Sequence, residues 1–353
     1  MLSNSNIKIS MQILKQISEI DEFNGKWKAI NITKSEHMKK LKKVSTIESI
    51  GSSNRIEGNS LTNEEIETIL QNIEKQSLKN RNEEEVACYA ELLNTIYDNY
   101  LFIPLTENHI KQLHGILLKN VSKDERHRGD YKKTSNAVAA FDADGKEIGI
   151  ILDTASSFDT PTMMNELIAW TNSALKDELF HPLITIGIFV VHFLAIHPFQ
   201  DGNGRLSRAL TNLLLLKTGY SYVPYCSLEA IVEESKRSYY SALRNTQKHI
   251  WDDNVDYEPW LNFFILSLYK QKKQLEDKIQ RTEKYADLSD KAIVIMKLFE
   301  TNNTLTAKII SEKTNFSIET VRKILQKLLH FNFIKKYGTT ITRRYSINTQ
   351  NQL

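Results

Sequence analysis

The 353-residue chain contains only two cysteines, Cys88 and Cys226, far apart and in no CxxC or Cys/His spacing. This scarcity argues against a disulfide framework or a zinc site and favours a reducing compartment. Long apolar runs are also lacking, because the longest, residues 184–196, is too short for a bilayer and contains His192. The first 23 residues mix lysines with carboxylates and never form the apolar core of a signal peptide. We therefore expect a cytoplasmic protein without a membrane segment.

Glycine and proline are few, with 12 and 6 residues, and apolar residues recur at three-to-four spacing. This pattern predicts an all-α fold. The predicted helices of the first 250 residues cover 35–56, 63–74, 83–98, 107–118, 161–177, 182–196, 204–218 and 231–246. The exception is residues 138–151, where apolar flanks around Asp144-Gly145 predict a β-hairpin.

We expect the chain to divide into four parts, with a boundary marked by a segment of dense alternating charge. An N-terminal helical region covers 1–105, a main core 106–268, an exposed connecting helix of alternating charge 269–286, and a C-terminal domain 287–353. In the last part, short helices at 290–300, 306–314 and 318–330 precede two strand-like segments that meet at Gly338. This order is typical of a winged helix-turn-helix domain.

The C-terminal domain is basic, with eleven Lys or Arg against five Asp or Glu over 287–353. Its third helix is expected to pack Val321, Ile324, Leu325 and Leu328 inward and to expose Arg322, Lys323 and Lys327, while Arg343 and Arg344 lie on the wing. Such a face suits a DNA major groove. Winged helices also serve as protein-interaction or dimerisation modules, and the sequence leaves both readings open.

The densest cluster of chemically active residues is IHPFQDGNGRLSR, residues 196–208, directly after an apolar helical segment. Pro198 disfavours helical geometry at His197, so the helix must end as the histidine emerges from an apolar support. Gly202 and Gly204 permit unusual backbone conformations and close approaches as a new helix begins. The free N–H groups of its first turn form an anion site.

Three charged residues near this anion site favour phosphate chemistry. Arg205 and Arg208 are three apart on the new helix, and two guanidinium forks beside a helix N-terminus suit a chain of phosphates. Asp201 is a hard oxygen ligand of the kind that holds Mg²⁺ at triphosphate sites. A histidine is a natural proton acceptor for an attacking hydroxyl. Each feature alone is commonly structural, but together they predict a nucleotide site.

Residues 197–208 resemble the full signature of the Fic (filamentation induced by cAMP) family, HxFx(D/E)GNGRxxR, with agreement at every defined position. The similarity extends over roughly residues 35–268. It implies a helical catalytic core at 106–268 and an enzyme that transfers AMP from ATP to a protein hydroxyl and releases diphosphate. ATP as substrate, Mg²⁺ as cofactor and a protein target with a Ser, Thr or Tyr hydroxyl follow from the same resemblance.

The resemblance assigns a role to each position of the motif. His197 is the base, Phe199 anchors the loop in the core, and Asp201 binds Mg²⁺. The anion hole for the α- and β-phosphates is formed by Gly202, Asn203 and Gly204. Arg205 contacts the phosphate chain, and Arg208 contacts the γ-phosphate.

Two neighbouring segments are assigned more loosely. The hairpin at 138–151 would be the family's flap, which aligns a target segment by strand addition, although an ordinary structural hairpin would look the same. Before it, Gly129 and Tyr131 fit a GxYR pattern common in such proteins, but Lys132 replaces the arginine. Tyr239 and Tyr240 are candidates for the base pocket, although adjacent aromatics in an apolar helix are more often core.

Residues 53–58, SNRIEG, are similar to the family's inhibitory motif (S/T)xxxE(G/N). Ser53 and Glu57 are four apart, so they share one helix face, and Gly58 can end the helix. We expect Glu57 to pair with Arg208 and occupy the fork that the γ-phosphate needs. In some relatives the same glutamate supports removal of AMP, and the sequence does not exclude that reverse activity.

Two classes of function follow from the whole chain. One is a regulated protein adenylyltransferase whose C-terminal domain selects targets or partners. The other is a DNA-binding regulator or toxin-antitoxin-like module whose Fic unit senses nucleotide, modifies the protein itself or removes AMP. Self-modification and a homodimer are compatible with both.

Overall fold

The computed structural model describes residues 7–29, 36–72, 78–121, 126–134, 136–141, 147–252, 254–285, 288–302, 304–339 and 343–348. The chain divides into two compact units, Met1–Leu275 and Glu276–Leu353. The larger unit contains helices and one hairpin in this order: α1 Met11–Ala29, α2 Glu36–Ile56, α3 Asn63–Asn72, α4 Arg81–Asn99, α5 Glu107–Leu117, β1 Ala137–Phe141, β2 Glu147–Asp153, α6 Thr160–Lys176, α7 Pro182–Ile196, α8 Asn203–Lys217, α9 Leu228–Glu234, α10 Lys236–Gln247 and α11 Glu258–Tyr285, of which the last crosses the boundary between the units.

Helix α7 lies at the centre of the larger unit. Every residue from Leu183 to Ile196 is buried, as expected for a helix that is apolar on all sides. It packs against α6, α8 and α10. Trp260 of α11 donates its indole N–H to the Gly187 carbonyl at 2.7 Å, and a Cβ at Gly187 would collide with Leu261. The site described below is built where this rigid helix ends.

Most of the predicted helices are confirmed, and the all-α prediction holds for the described residues. The predicted capping box of α3 is present, since the Thr62 N–H donates to Glu65 at 2.8 Å and the Glu65 N–H donates to Thr62 at 3.3 Å. Strands β1 and β2 pair antiparallel, with Ala139 opposite Ile150. The predicted turn at Asp144-Gly145 lies outside the described residues.

Two predictions of local structure were wrong or incomplete, and one helix was missed. The predicted helix 231–246 is two helices, α9 and α10, because the backbone breaks at Ser235 with φ −110° and ψ 27°. Helix α1 was not predicted; tertiary packing buries its apolar side. The predicted connecting helix is the end of the longer α11 and is not wholly exposed, since Gln271 and Lys272 are buried.

The smaller unit contains α12 Asp290–Thr301, α13 Ala307–Thr314 and α14 Ile318–His330, followed by antiparallel strands β3 Ile334–Tyr337 and β4 Arg344–Ile347. The inward and outward faces of α14 are as predicted, with the four apolar residues buried and Arg322, Lys323 and Lys327 exposed. The order of elements matches the prediction. The assignment as a winged helix-turn-helix domain and the four-part division of the chain stay predictions.

No helix in the described part of the chain combines the length and the apolar character that crossing a bilayer requires.

Candidate active site

His197 lies at the point where α7 ends. It adopts the left-handed conformation, with φ 51° and ψ 60°, and its N–H closes the last turn on the Phe193 carbonyl at 2.9 Å. The ring Nδ1 lies 3.3 Å from the Leu194 carbonyl, which only accepts, so Nδ1 carries the proton. Nε2 therefore keeps its lone pair, and the side chain is partly exposed at the end of a rigid helix.

Burial lowers the pKa of His197 to about 4, and the nearby Lys132 ammonium acts in the same direction. The hydrogen bond to Leu194 and the carboxylates of Glu57 and Asp201 oppose this shift. The imidazole is consequently neutral at pH 7 in the nucleotide-free protein. A neutral imidazole with a free Nε2 is the form that can accept a proton.

The loop after His197 is closed by its own side chains. Asn203 accepts from the Phe199 N–H at 2.9 Å and donates to the Phe199 carbonyl at 2.7 Å. The Phe199 ring is fully buried, so it anchors the loop in the core as the resemblance implies. The buried Asn203 side chain thus shapes the loop, and only its backbone N–H is left for an anion.

His114 supports the loop from α5 and was missed by sequence reasoning. Its ring stacks on Phe199 with a centroid distance of 3.8 Å and an interplanar angle of 12°. Nδ1 accepts from the Gly129 N–H and Nε2 donates to the Asp201 carbonyl, each at 3.0 Å. Burial lowers the pKa of His114 to about 4, which keeps this neutral tautomer. One signal was available: a histidine at an apolar position of a helix needs polar partners.

Helix α8 begins directly after this loop. Its N-cap, Gly202, has φ 80°, a conformation that side chains disfavour. The N–H groups of the first turn have no acceptor inside the helix, and the anion site predicted here stays a prediction. The Glu57 carboxylate already lies here, since a Cβ at Gly204 would collide with it.

Arg208 is held by the segment that resembles an inhibitory motif. Its Nε donates to Ser53 Oγ, and its Nη2 donates to the Ser53 carbonyl and to Glu57 Oε1, each at 2.8 Å. Helix α2 ends at Ile56 and Gly58 has φ 97°, so Ser53 and Glu57 face α8 together, as expected. Burial acts to lower the pKa of Arg208, but the Glu57 carboxylate together with Tyr239 and Tyr89 gives a net rise.

Arg205 and Asp201 belong to a second charged cluster, at the start of α8. Arg205 is buried and lies 3.4 Å from Glu85 and 3.5 Å from Asp201. Arg81, which was not predicted, donates to Glu85 at 2.8 Å and to Asp201 at 2.9 Å. Among the described residues, Nε and Nη1 of Arg205 and Nη1 of Arg208 are buried without a hydrogen-bond acceptor. Buried donors without acceptors are costly, and a bound anion would satisfy them.

Asp201 is compatible with a magnesium ion. Its side chain is 38% exposed and lies in the loop between the imidazole and the α8 N-terminus. The described residues contain no group of three or more His, Cys, Asp or Glu arranged to hold a metal. A single carboxylate nevertheless fits Mg²⁺, which usually takes one or two protein ligands and completes its shell with phosphate and water.

The two tyrosines proposed for a base pocket lie in different environments. Tyr239 is buried against Trp260 and Phe263, at centroid distances of 5.9 and 5.7 Å. Burial raises its pKa to about 12, so it remains neutral. Tyr240 is partly exposed and contacts Tyr239 edge to face at 5.1 Å. The geometry therefore makes Tyr239 a core residue beside Arg208 and leaves Tyr240 as the accessible member of the pair.

Known proteins resemble more than half of the chain. It is 28% identical over 212 residues to "Protein adenylyltransferase Fic" of Aedes aegypti, covering 59% of this chain and 38% of that protein. It is 27% identical over 230 residues to the protein of the same name in Drosophila mojavensis, covering 64% and 41%. The chain thus spans about two fifths of the length of these curated relatives.

Solved structures show the same fold. A Fic family protein from Desulfovibrio desulfuricans G20 superposes over 97% of both chains with a TM-score of 0.63 and 21% identity. Fic-1 from C. elegans matches 76% of this chain and 73% of its own, with a TM-score of 0.61 and 17% identity. The model of the Fic/DOC family matches residues 104–215, which include His197, the glycine loop and both arginines. His197, the glycine loop and both arginines therefore lie in the segment that is similar to the Fic/DOC family, whereas Ser53, Glu57 and Arg81 lie outside it.

Proposed function

We propose that the protein is an adenylyltransferase that transfers AMP from ATP to a hydroxyl side chain of a protein and is held in check by Glu57. The observation that carries the proposal is the convergence of the His197 imidazole, the α8 N-terminus and two buried guanidinium groups around one loop. The similarity to relatives named protein adenylyltransferase supports the same reaction.

In this mechanism Nε2 of His197 accepts the proton of the attacking hydroxyl. The hydroxyl oxygen forms a bond to the α-phosphorus, the bond from that phosphorus to the bridging oxygen breaks, and diphosphate leaves. The N–H groups at the start of α8 stabilise the charge that develops on the phosphate oxygens. Arg205 and Arg208 orient the phosphate chain through their buried donors. Asp201 would hold Mg²⁺, which when bound neutralises phosphate charge.

Glu57 restrains this reaction by competing for the same groups. Its carboxylate pairs with Arg208 and lies against Gly204, where phosphate oxygens are expected. An ATP molecule that binds with Glu57 in place cannot use the Arg208 fork, so its α-phosphorus is displaced from His197. The contact is a charge-assisted hydrogen bond of 2.8 Å, of the kind that a phosphate oxygen would form with the same guanidinium.

The experiment compares wild type, Glu57→Gly and His197→Ala with Mg²⁺ and labelled ATP in a cell lysate. We expect the label to reach proteins, to increase strongly in Glu57→Gly and to disappear when His197→Ala is added. Protein label that does not depend on His197 would contradict the proposed reaction. Equal labelling by wild type and Glu57→Gly would contradict the restraint alone.

A second candidate function is DNA binding by the smaller unit, read as a winged helix-turn-helix domain. It is favoured by the exposed basic residues of α14, Arg322, Lys323 and Lys327, together with exposed Arg343 and Arg344 beside and on β4. Neutralised phosphates make such binding salt-dependent. Duplex affinity of the full chain should fall steeply with salt and fall further in Lys323→Ala/Lys327→Ala; unchanged affinity in that variant would contradict the assignment.

A further inference from the structure

Lys132 is a buried lysine whose three donors are all used. Only 3% of the residue is exposed, and its ammonium donates to Asn136 Oδ1 at 2.8 Å, Thr154 Oγ1 at 2.9 Å and the Ile196 carbonyl at 3.0 Å. All three acceptors are neutral. Burial lowers the pKa of Lys132 to about 8, so most molecules carry the charge at pH 7. An ammonium in this position is costly unless its hydrogen bonds are complete.

Lys132 binds the backbone of both residues that flank His197. Its side chain binds the carbonyl of Ile196, the residue before His197, and its N–H donates to the carbonyl of Pro198, the residue after it, at 2.9 Å. The left-handed backbone of a non-glycine residue such as His197 is strained and persists only where neighbours hold it. Lys132 provides two of those holding bonds.

The same ammonium joins both ends of the β1–β2 hairpin. Asn136 directly precedes β1 and Thr154 directly follows β2, and the Thr154 hydroxyl also lies 2.7 Å from Asn136 Oδ1. Asn136 in turn donates to the Phe199 carbonyl at 2.8 Å. A single charged group thus connects the base of the hairpin to the backbone that presents the imidazole.

We propose that Lys132 is a positioning residue that couples the hairpin to His197, so that a target segment paired with the hairpin meets the imidazole in a fixed register. The proposal deepens and rests on the proposed function. Lys132 contacts neither the α8 N-terminus nor the two arginines in any of these bonds, so its effect should fall on transfer and not on nucleotide binding.

The test uses the full chain with Glu57→Gly as parent and adds Lys132→Met, Lys132→Arg or, as matched control, Lys133→Met. Lys133 is the exposed neighbour, and its ammonium lies 3.8 Å from the Asp130 carboxylate. We expect Lys132→Met to lower label transfer to lysate proteins at least tenfold, while affinity for a non-hydrolysable ATP analogue with Mg²⁺ stays within twofold. Lys132→Arg should restore most of the rate, and Lys133→Met should match the parent.

A second readout does not depend on transfer. The charged groups that face His197 are Lys132, Glu57 and Asp201. Removal of the Lys132 ammonium should raise the pKa of His197 in Lys132→Met, whereas Lys133→Met should leave this pKa unchanged. The pKa is measured by NMR of labelled histidine, and His197→Ala assigns the signal. An unchanged pKa together with an unchanged transfer rate would overturn the proposal.

Thr154→Val covers the case in which Lys132→Met does not fold, because it removes one acceptor and leaves the lysine in place. It should lower transfer in the same direction with unchanged analogue affinity, and transfer at the parent rate would overturn the coupling. If the Glu57→Gly parent shows no label that depends on His197, the proposed function fails. The NMR comparison still tests the placement of Lys132 in that case.

Discussion

Replacement of Glu57 by alanine should separate the two consequences of its contact with Arg208. The pair is 2.8 Å long, with side chains 8% and 34% exposed, so solvent screens it on one side only. Loss of one partner of a fully buried pair costs about 3–5 kcal/mol. Because Glu57 is one-third exposed and Ser53 keeps two bonds to Arg208, we expect a smaller loss of about 1–3 kcal/mol in the free energy of unfolding.

Nucleotide should reverse this loss. With Glu57 removed, the γ-phosphate gains a charge-assisted hydrogen bond to Arg208 worth about 1.5–3 kcal/mol, which corresponds to about 10- to 140-fold in affinity. Stabilisation by a ligand follows its concentration relative to its dissociation constant. A non-hydrolysable ATP analogue with Mg²⁺ should therefore stabilise the variant more than it stabilises wild type.

The assay is denaturant unfolding with and without the analogue, combined with analogue titration and label transfer. Glu67→Ala is the matched control, since it removes an equally short but exposed pair with Lys43 on α2. We expect the control to behave as wild type in every measurement. A Glu57→Ala protein that is as stable as wild type without nucleotide, and no more stabilised by it, would refute the reasoning.

Three further predictions concern groups around the site. Arg55, in the last turn of α2, donates to the two carboxylate oxygens of Glu233 at 2.7 and 2.9 Å. Glu233→Ala removes both bonds, so label transfer should rise in the wild-type background. An equal rise on top of Glu57→Gly would show that this pair does not act through Glu57. The pKa of His114 falls from 6.5 to about 4 on folding, so its stability contribution is complete above pH 6.5 and is lost as the pH falls toward 4. That loss is about 3 kcal/mol. Between about pH 6.5 and 4 the free energy of unfolding should therefore fall less steeply in His114→Gln than in wild type. Because the pKa of His197 is about 4 without nucleotide, kcat/KM should stay level from pH 8 down to 6, whereas an acid limb centred near 6.5 would contradict this environment.

The chemistry of the site could be predicted from local sequence. Pro198 ends α7 at His197, and Gly202 permits the start of α8, so the order of residues alone brings an imidazole to a helix N-terminus. Ser53 and Glu57 share a helix face through their spacing. Once the motif was identified, the partner of Glu57 could be named, and the contact with Arg208 is present.

Other parts of the site could not be predicted, because their partners are distant in sequence. His114 meets the Asp201 carbonyl, and Arg81 meets the Asp201 carboxylate, across more than eighty residues. No local pattern distinguishes these two from other polar residues on amphipathic helices. Their importance comes from what α4 and α5 bring beside the loop.

The sequence by itself therefore determined where α7 ends at His197, where α8 begins and that Ser53 and Glu57 share a helix face, because each depends on neighbours within a few positions. Only the tertiary structure decided how the loop is supported and that Lys132 joins the hairpin to His197. The physical reason is that a buried charge or a stacked ring depends on which surfaces pack together. That packing is settled by the whole core and not by any single segment.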